Sequence, residues 1–285
     1  MPVASRTPER IGSYRLIKQL GRGKVGQVWE VERGTDNSRW AMKVIFAGPD
    51  LNRANIANLK HEYAVGRDLS HENVIKTRDL VEDPCASFLI LELFRSANLK
   101  QWILDQQPKA LQLAEPIIRQ AAAGLGYLHE RGWIHRDVKP DNFLVDPLGH
   151  VKLIDFNIAQ RRRGRLGRLL GLGGKLQGTQ SYMSPEQIRS KPVDERADVY
   201  SLGCVIYEII TGKPPFSGTT SDQLLSKHLR QRPPALSADE YGLSPEFIGL
   251  VQSMLSKDAS RRPESMKELL ALLDKTGVFR RTPGS

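Results

Sequence analysis

Between Tyr14 and Leu93 the apolar residues come in short, strand-length runs: YRLIKQL, QVWEVER, RWAMKVIF and SFLILELF. Turn-forming stretches such as RGTDNS separate them, the pattern of antiparallel strands joined by tight connections. One interruption, at about 52–69, has helical spacing. After Phe94 the period changes. In EPIIRQAAAGLGYLHERG, residues 115–132, the side chains of Ile118, Ala121, Ala122, Leu125 and Leu128 fall on one helical face. VDERADVYSLGCVIYEIITG, residues 193–212, predicts a second long helix closed by Gly212. Further helices are expected near 221–231, 244–256 and 264–275. The pattern predicts an α+β chain of two lobes: a small β-rich lobe with one main helix over 14–94, and a larger, mainly helical lobe over 95–275. Residues 1–13 and 276–285 read as tails. A ligand would lie most naturally in a cleft between two such lobes.

Composition narrows this only a little. The 285 residues are ample for a buried core. The formal net charge of +10 raises the expectation of acidic partners. The two cysteines, Cys85 and Cys204, form no CxxC pair, which argues against a zinc ribbon or a redox dithiol. They read as small core residues in a reducing compartment, so a cytoplasmic location is expected. MPVASRTPER has no apolar stretch of the signal-peptide kind. The longest apolar runs, CVIY and FLIL, are far too short to span a membrane. The charge is concentrated. RRRGRLGRLLGLGGKLQG, residues 161–178, holds six basic residues, six glycines and no acid, which is loop composition.

The candidate chemistry lies in four places. LGRGKVGQVWEV contains Gly21-x-Gly23-x-x-Gly26-x-Val28. Glycines let a backbone turn tightly and approach phosphate oxygens with no side chain in the way. A dinucleotide fold would open a helix here, but a second strand follows, which favours a glycine hairpin over a nucleotide or an ordinary glycine-rich hairpin. Lys43 falls in the middle of the apolar strand WAMKVIF. A charge there needs an anion unless it points to solvent from an edge strand. The helical stretch that follows offers Glu62. The densest cluster is IHRDVKPDNFLV, which packs Asp137, Lys139 and Asn142 between apolar flanks. Asp137 has the chemistry to take a proton from a hydroxyl, and Lys139 to neutralise a transferring phosphoryl group. Asn142 and Asp155 are hard oxygen donors of the kind Mg2+ takes. The intervening FLVDPLGHVKLI reads as a hairpin that brings both to one mouth.

Taken in order, the glycine loop, strand lysine, helix glutamate, HRDxKPDN, the Asp-Phe pair at 155–156 and GTQSYMSPEQ resemble the eukaryotic-type protein kinases. The resemblance covers about 14–273 and is closest in form to the bacterial Ser/Thr branch, with Lys139 two residues after Asp137 as the discriminating feature. It implies a protein-kinase-like bilobal fold and transfer of phosphate from ATP to Ser or Thr of protein substrates, with autophosphorylation included. Lys43, paired with Glu62, would contact the α- and β-phosphates. Asp137 would be the catalytic base and Lys139 would steady the γ-phosphate. Asn142 and Asp155 would hold Mg2+, or Mn2+ in its place. Adenine would lie among Leu20, Val28, Ala41 and Leu144, beside Leu91, with Glu92, Leu93 and Phe94 offering backbone hydrogen bonds. Thr179 would line the substrate site, Glu186 would pair with Arg262, and Asp198 would anchor the catalytic loop.

Three positions depart from the family pattern. Asn157 replaces the glycine after Asp-Phe, a position where left-handed backbone is expected and Asn is among the better substitutes. Gly66 stands one helical turn after Glu62, which predicts a looser helix. From Asp155 to Gly178 the chain has no Ser, Thr or Tyr, so a phosphate switch cannot operate inside that loop. Asn157 and Gly66 together keep open a second reading, a nucleotide-binding scaffold without catalysis. The basic residues of 161–175 read as a solvated loop, as a dock for an acidic protein substrate or partner, or as a contact for anionic lipid or nucleic acid. Oligomeric state is not legible.

Overall fold

The computed structural model describes residues 9–23, 26–48, 52–83, 86–162 and 177–280. Cys85 and most of the basic island, 163–176, lie outside the described residues. The chain forms two compact units, one of residues 1–70 with 75–95, the other of 71–74 with 96–285.

The first unit is built on a six-stranded antiparallel sheet: β1 (Arg10–Ile11), β2 (Tyr14–Arg22), β3 (Gln27–Arg33), β4 (Arg39–Phe46), β5 (Thr77–Asp83) and β6 (Ala86–Leu91), in the spatial order β1-β2-β3-β4-β6-β5. Strand period 2 divides the side chains between two faces. Met42, Val44, Phe88 and Ile90 join Val31, Tyr14 and Ile11 in one apolar cluster. Ile45 and Leu89 point the other way and pack against Leu59 of helix α1 (Arg53–Gly66). Asn52 caps α1 by accepting from the Asn55 amide at 3.0 Å. The helix ends at Gly66, short of the expected 69, so Asp68 falls outside it and Glu62 is its one carboxylate. Gly66 is the terminal residue, where the cost of a glycine inside a helix does not apply. The expected loosening therefore loses its cause.

In the second unit the long helices are α2 (Leu99–Gln112), α3 (Ala114–Glu130), α5 (Glu195–Thr211), α6 (Ser221–Arg230), α8 (Pro245–Met254) and α9 (Met266–Thr276), with single turns α4 (Pro185–Ile188) and α7 (Ala238–Tyr241) between them. Helix α5 is buried on all sides from Ala197 to Ile210, the place of a helix apolar on most of its faces, and its polar Asp198, Ser201 and Glu208 are buried with it. Helix α2 did not stand out in the sequence. It carries Pro108 and a non-helical Gln106, so its apolar period is broken. Strands β7 (Ala97–Asn98), β9 (Phe143–Val145) and β10 (Val151–Leu153) form one small sheet, and β8 (Trp133–Ile134) pairs with β11 (Gln160–Arg161).

Residues His71–Val74 belong to this unit although the first unit's sequence continues after them. The Asn73 amide donates to Gln120 at 3.0 Å and to the Val151 carbonyl at 3.1 Å. Its own carbonyl accepts from Leu153 at 2.8 Å. Gly124 makes room for it: a Cβ there would lie 2.7 Å from the Asn73 oxygen. His71 stacks on Tyr127 with ring centroids 4.9 Å apart.

One half-buried base has a measurable consequence. The Lys257 ammonium donates to the Tyr200 hydroxyl at 3.2 Å and lies 4.2 Å from the Phe216 ring centre. Burial pulls its pKa down to about 8 from an ordinary 10.5. Between those values the unfolded chain holds a proton that the folded chain has lost, so this group's contribution makes the fold more stable as pH rises through that window. The buried Tyr200 and Cys204 act the other way at the top of that window, because burial raises both and the unfolded chain gives up their protons first. Lys257→Met should remove this group's rising share, so that the gap in thermal midpoint between the variant and the unaltered protein changes steadily across pH 8–10.5. Parallel midpoint-against-pH curves for the two proteins would remove this assignment.

Candidate active site

In the first unit, the faces of the sheet explain why Lys43 is not an exposed edge residue. Lys43 lies opposite Val28 on β3 and Leu89 on β6, on the face that packs against α1. Its ammonium meets the Glu62 carboxylate at 2.6 Å, and Glu62 is 4% exposed. Ala41 and Val28 share that face. The glycine turn between β2 and β3 is a hairpin: Gly21 pairs with Val28, and the Gly23 amide donates to Gly26 oxygen at 2.8 Å. Gly26 is demanded by proximity, since a Cβ would sit 2.7 Å from the Val44 carbonyl oxygen. Leu20 is 41% exposed, an apolar side chain left open at the turn. Leu91 ends β6, and Glu92, Leu93 and Phe94 continue half-buried beyond it. Glu92 is held to the sheet edge, its amide donating to Lys76 oxygen at 2.9 Å and its carboxylate accepting from the Lys76 amide at 3.2 Å.

In the second unit, Asp137, Lys139, Asn142 and Thr179 meet around one carboxylate. Asp137 Oδ2 accepts from Lys139 Nζ at 2.7 Å and from Asn142 Nδ2 at 3.3 Å. Its Oδ1 accepts from the Thr179 amide at 2.8 Å and the Thr179 hydroxyl at 2.9 Å. Lys139 also reaches the Thr179 oxygen at 2.9 Å. A negative oxygen that already receives a hydroxyl proton, with an ammonium beside it, is an arrangement for taking a proton next to developing negative charge.

The loop that carries this group is fixed from below. Asp198 on α5 is wholly buried and accepts from the amides of His135 at 2.8 Å and Arg136 at 2.9 Å, with His129 Nε2 at 2.8 Å. Burial pushes the Asp198 carboxyl up, but the hydrogen bonds and positive charge of His129 and the loop outweigh it and leave the pKa below the ordinary value. Arg136 has a left-handed backbone, φ 67°. This strained conformation is held by Asp198 at its amide and by Gln187 Nε2, 2.8 Å from its carbonyl oxygen. Gln187 was missed in the sequence. The signal was present: Ser184 and Gln187 form a capping box at the start of α4.

Asn142 and Asp155 are joined through the β9–β10 hairpin. The ladder continues one step past the strands, with the Ile154 amide donating to the Asn142 carbonyl at 2.9 Å. Leu144 sits half-buried on β9. Asn142 Nδ2 is committed to the carbonyl of Asp137 at 2.8 Å, which leaves the amide oxygen as the acceptor. Among the described residues no three His, Cys, Asp or Glu gather as a metal cage. Asn142 and Asp155 are hard oxygen donors of the kind a small divalent ion takes. The left-handed residue here is Asp155, φ 67°, and Asn157 is not left-handed. Asn157 therefore carries no glycine-specific strain in this conformation, which corrects the expectation. Both departures that favoured a scaffold lose their force.

Of the hydroxyls nearest the loop, Thr179 is engaged with Asp137, Tyr182 donates to Glu208 at 2.6 Å, and Ser184 is buried in its cap. Ser181 is half-exposed. Glu208, wholly buried, also takes Lys100 as an ion-pair partner. Glu186 receives a two-pronged contact from Arg262 at 2.7 and 3.0 Å. Among the described residues no helix is long and apolar enough to cross a membrane.

The protein kinase domain family matches residues 14–272. The chain is 31% identical over 284 residues to the serine/threonine-protein kinase PknA of Corynebacterium glutamicum, covering 98% of this chain and 59% of that protein. It is 33% identical over 260 residues to Pkn1 of Myxococcus xanthus, covering 90% and 36%, and 31% identical over 270 residues to PknB of Mycobacterium tuberculosis, covering 93% and 43%. The chain thus spans roughly a third to three-fifths of the length of these relatives. With the family matched from the first long strand to the last helix, this chain belongs to the protein kinase domain family.

Proposed function

We propose that the chain is an active Mg-ATP-dependent kinase that phosphorylates Ser and Thr of protein substrates, itself included. The contact of Asp137 with Lys139 and a hydroxyl carries this reading. Asp137 orients the substrate hydroxyl and accepts its proton, and Lys139 steadies the γ-phosphate as it transfers. Lys43, held ready by Glu62, takes α- and β-phosphate oxygens. Leu20, Val28, Ala41 and Leu144 are the apolar contacts of the adenine, with Leu91 beside it and the backbone of Glu92, Leu93 and Phe94 at its polar edge. Gly21, Gly23 and Gly26 bring backbone amides to the phosphates. Asn142 and Asp155 hold Mg2+, which when bound neutralises phosphate charge. The basic segment recruits an acidic protein substrate or partner.

The test is transfer of γ-phosphate from Mg-ATP by the purified chain, with the modified sites mapped by mass spectrometry. Phosphate on Ser or Thr is expected, with Ser181 or Thr179 as the sites nearest the loop. Lys43→Met should lower the rate by about 10²-fold, the usual loss when one preorganised positive donor is removed. Tight nucleotide binding with no transfer by the unaltered chain would favour the scaffold.

A further inference from the structure

Glu30 is a carboxylate in an unusual place. It sits in the middle of β3, 8% exposed, on the same sheet face as Val28. In the strand register Glu30 lies opposite Ala41, and Ala41 lies opposite Leu91. Directly opposed residues share a face, so Glu30, Ala41 and Leu91 form one row across β3, β4 and β6. The chain leaves β6 at Leu91, and four residues later Arg95 reaches back to the far end of that row. Its guanidinium donates to Glu30 Oε1 at 2.8 Å and to Oε2 at 3.4 Å. Arg39 supports Glu30 from β4 at 3.3 Å. The hydrogen bond from Arg95 holds the Glu30 carboxyl below its usual range despite burial.

The segment 92–95 is therefore fastened at both ends. Glu92 is tied to Lys76, and Arg95 to Glu30. Between them lie Leu93 and Phe94, whose backbone has no strand partner to fix its position. We propose that the Arg95–Glu30 ion pair is a positioning device for the nucleotide base: it sets the border of the sheet face that carries Ala41 and holds the 92–94 backbone at the height where the base is read. This rests on the ATP-site reading of Leu91, Glu92 and Phe94 given above. The pair touches neither phosphate nor reacting hydroxyl, so its effect belongs to ATP affinity and not to the chemical step.

Arg95→Ala, Arg95→Lys, Glu30→Gln and the double variant Glu30→Gln/Arg95→Ala test this in the full chain. The Arg95 side chain is 65% exposed, so its truncation should leave the fold intact. Arg95→Ala should raise KM for ATP about three- to tenfold with kcat and the KM for protein substrate within about twofold. Arg95→Lys keeps the charge without the fork and should recover part of the loss. In the Glu30→Gln background, Arg95→Ala should add little, because the partner is already gone. Amide exchange at 92–95 without nucleotide should quicken in Arg95→Ala. Unchanged exchange, an unchanged KM for ATP, or equal losses in kcat and in both KM values would overturn the positioning role alone. A wild-type chain that binds no ATP would overturn the kinase reading and this role with it.

Discussion

Asp137→Asn should lower phosphoryl transfer by about 10³-fold, within the range that a positioned general base contributes. The substitution keeps the shape of the side chain but changes what each atom can do. Four donors converge on the carboxylate: Lys139, Asn142, and the amide and hydroxyl of Thr179. An amide nitrogen in place of either oxygen would face donors and could accept no proton. Some local rearrangement follows, yet the loop is held by Asp198 from below and should stay folded. ATP binding should persist, because the proposed nucleotide contacts are other residues. The measurement is initial rate and nucleotide affinity on the same preparation. Transfer at a tenth or more of the wild-type rate would show that Asp137 is not the base.

Arg262→Ala has the largest expected effect on stability. The Arg262 side chain is wholly buried and makes four contacts: two with Glu186, one with the Arg196 carbonyl and one with the Ser256 carbonyl. It also lies over the Tyr200 ring at 4.9 Å. Removing it leaves the Glu186 carboxylate, 15% exposed, with its partner gone and two carbonyls without donors. Breaking one side of a buried ion pair costs about 3–5 kcal/mol, which is roughly a 5–8 °C fall in thermal midpoint for a protein of this size. Arg262→Lys should recover little, since an ammonium cannot reproduce the planar fork. A fall under 2 °C would mean that the carbonyls and carboxylate find other partners.

What the sequence discloses and what it hides divide along physical lines. The Lys43–Glu62 contact was legible because a charge amid apolar strand residues has few affordable environments. The turn at Gly21–Gly26 was legible because a strand, and not a helix, follows it. The β9–β10 hairpin was legible from apolar flanks around Asp-Pro-Leu-Gly. Helix α2 was hidden by Pro108 and by a pattern that never settles into one period. The Arg95–Glu30 pair was hidden because its members are 65 positions apart, and no local rule links a mid-strand carboxylate to an arginine beyond the sheet. The same holds for Asn73 with Gln120. The backbone angles at 155–157 were misjudged for another reason. Sequence shows which residue is small, but only the path of the chain shows which one must turn left.

The placement of His71–Val74 bears on how this chain can be cut and recombined. A fragment starting at 96 would lack the tetrapeptide, leaving the Val151 carbonyl and the Gln120 side chain without the Asn73 amide, and the space under Gly124 unfilled. A hybrid that takes its β-rich part from one homologue and its helical part from another needs three junctions, near 70, 75 and 95. During synthesis the same four residues emerge early and must wait for Gln120, Val151 and Leu153 before their hydrogen bonds can close. The helical unit is thus not a self-contained cassette: part of its core is written inside its neighbour's gene segment, and the two are inherited as one.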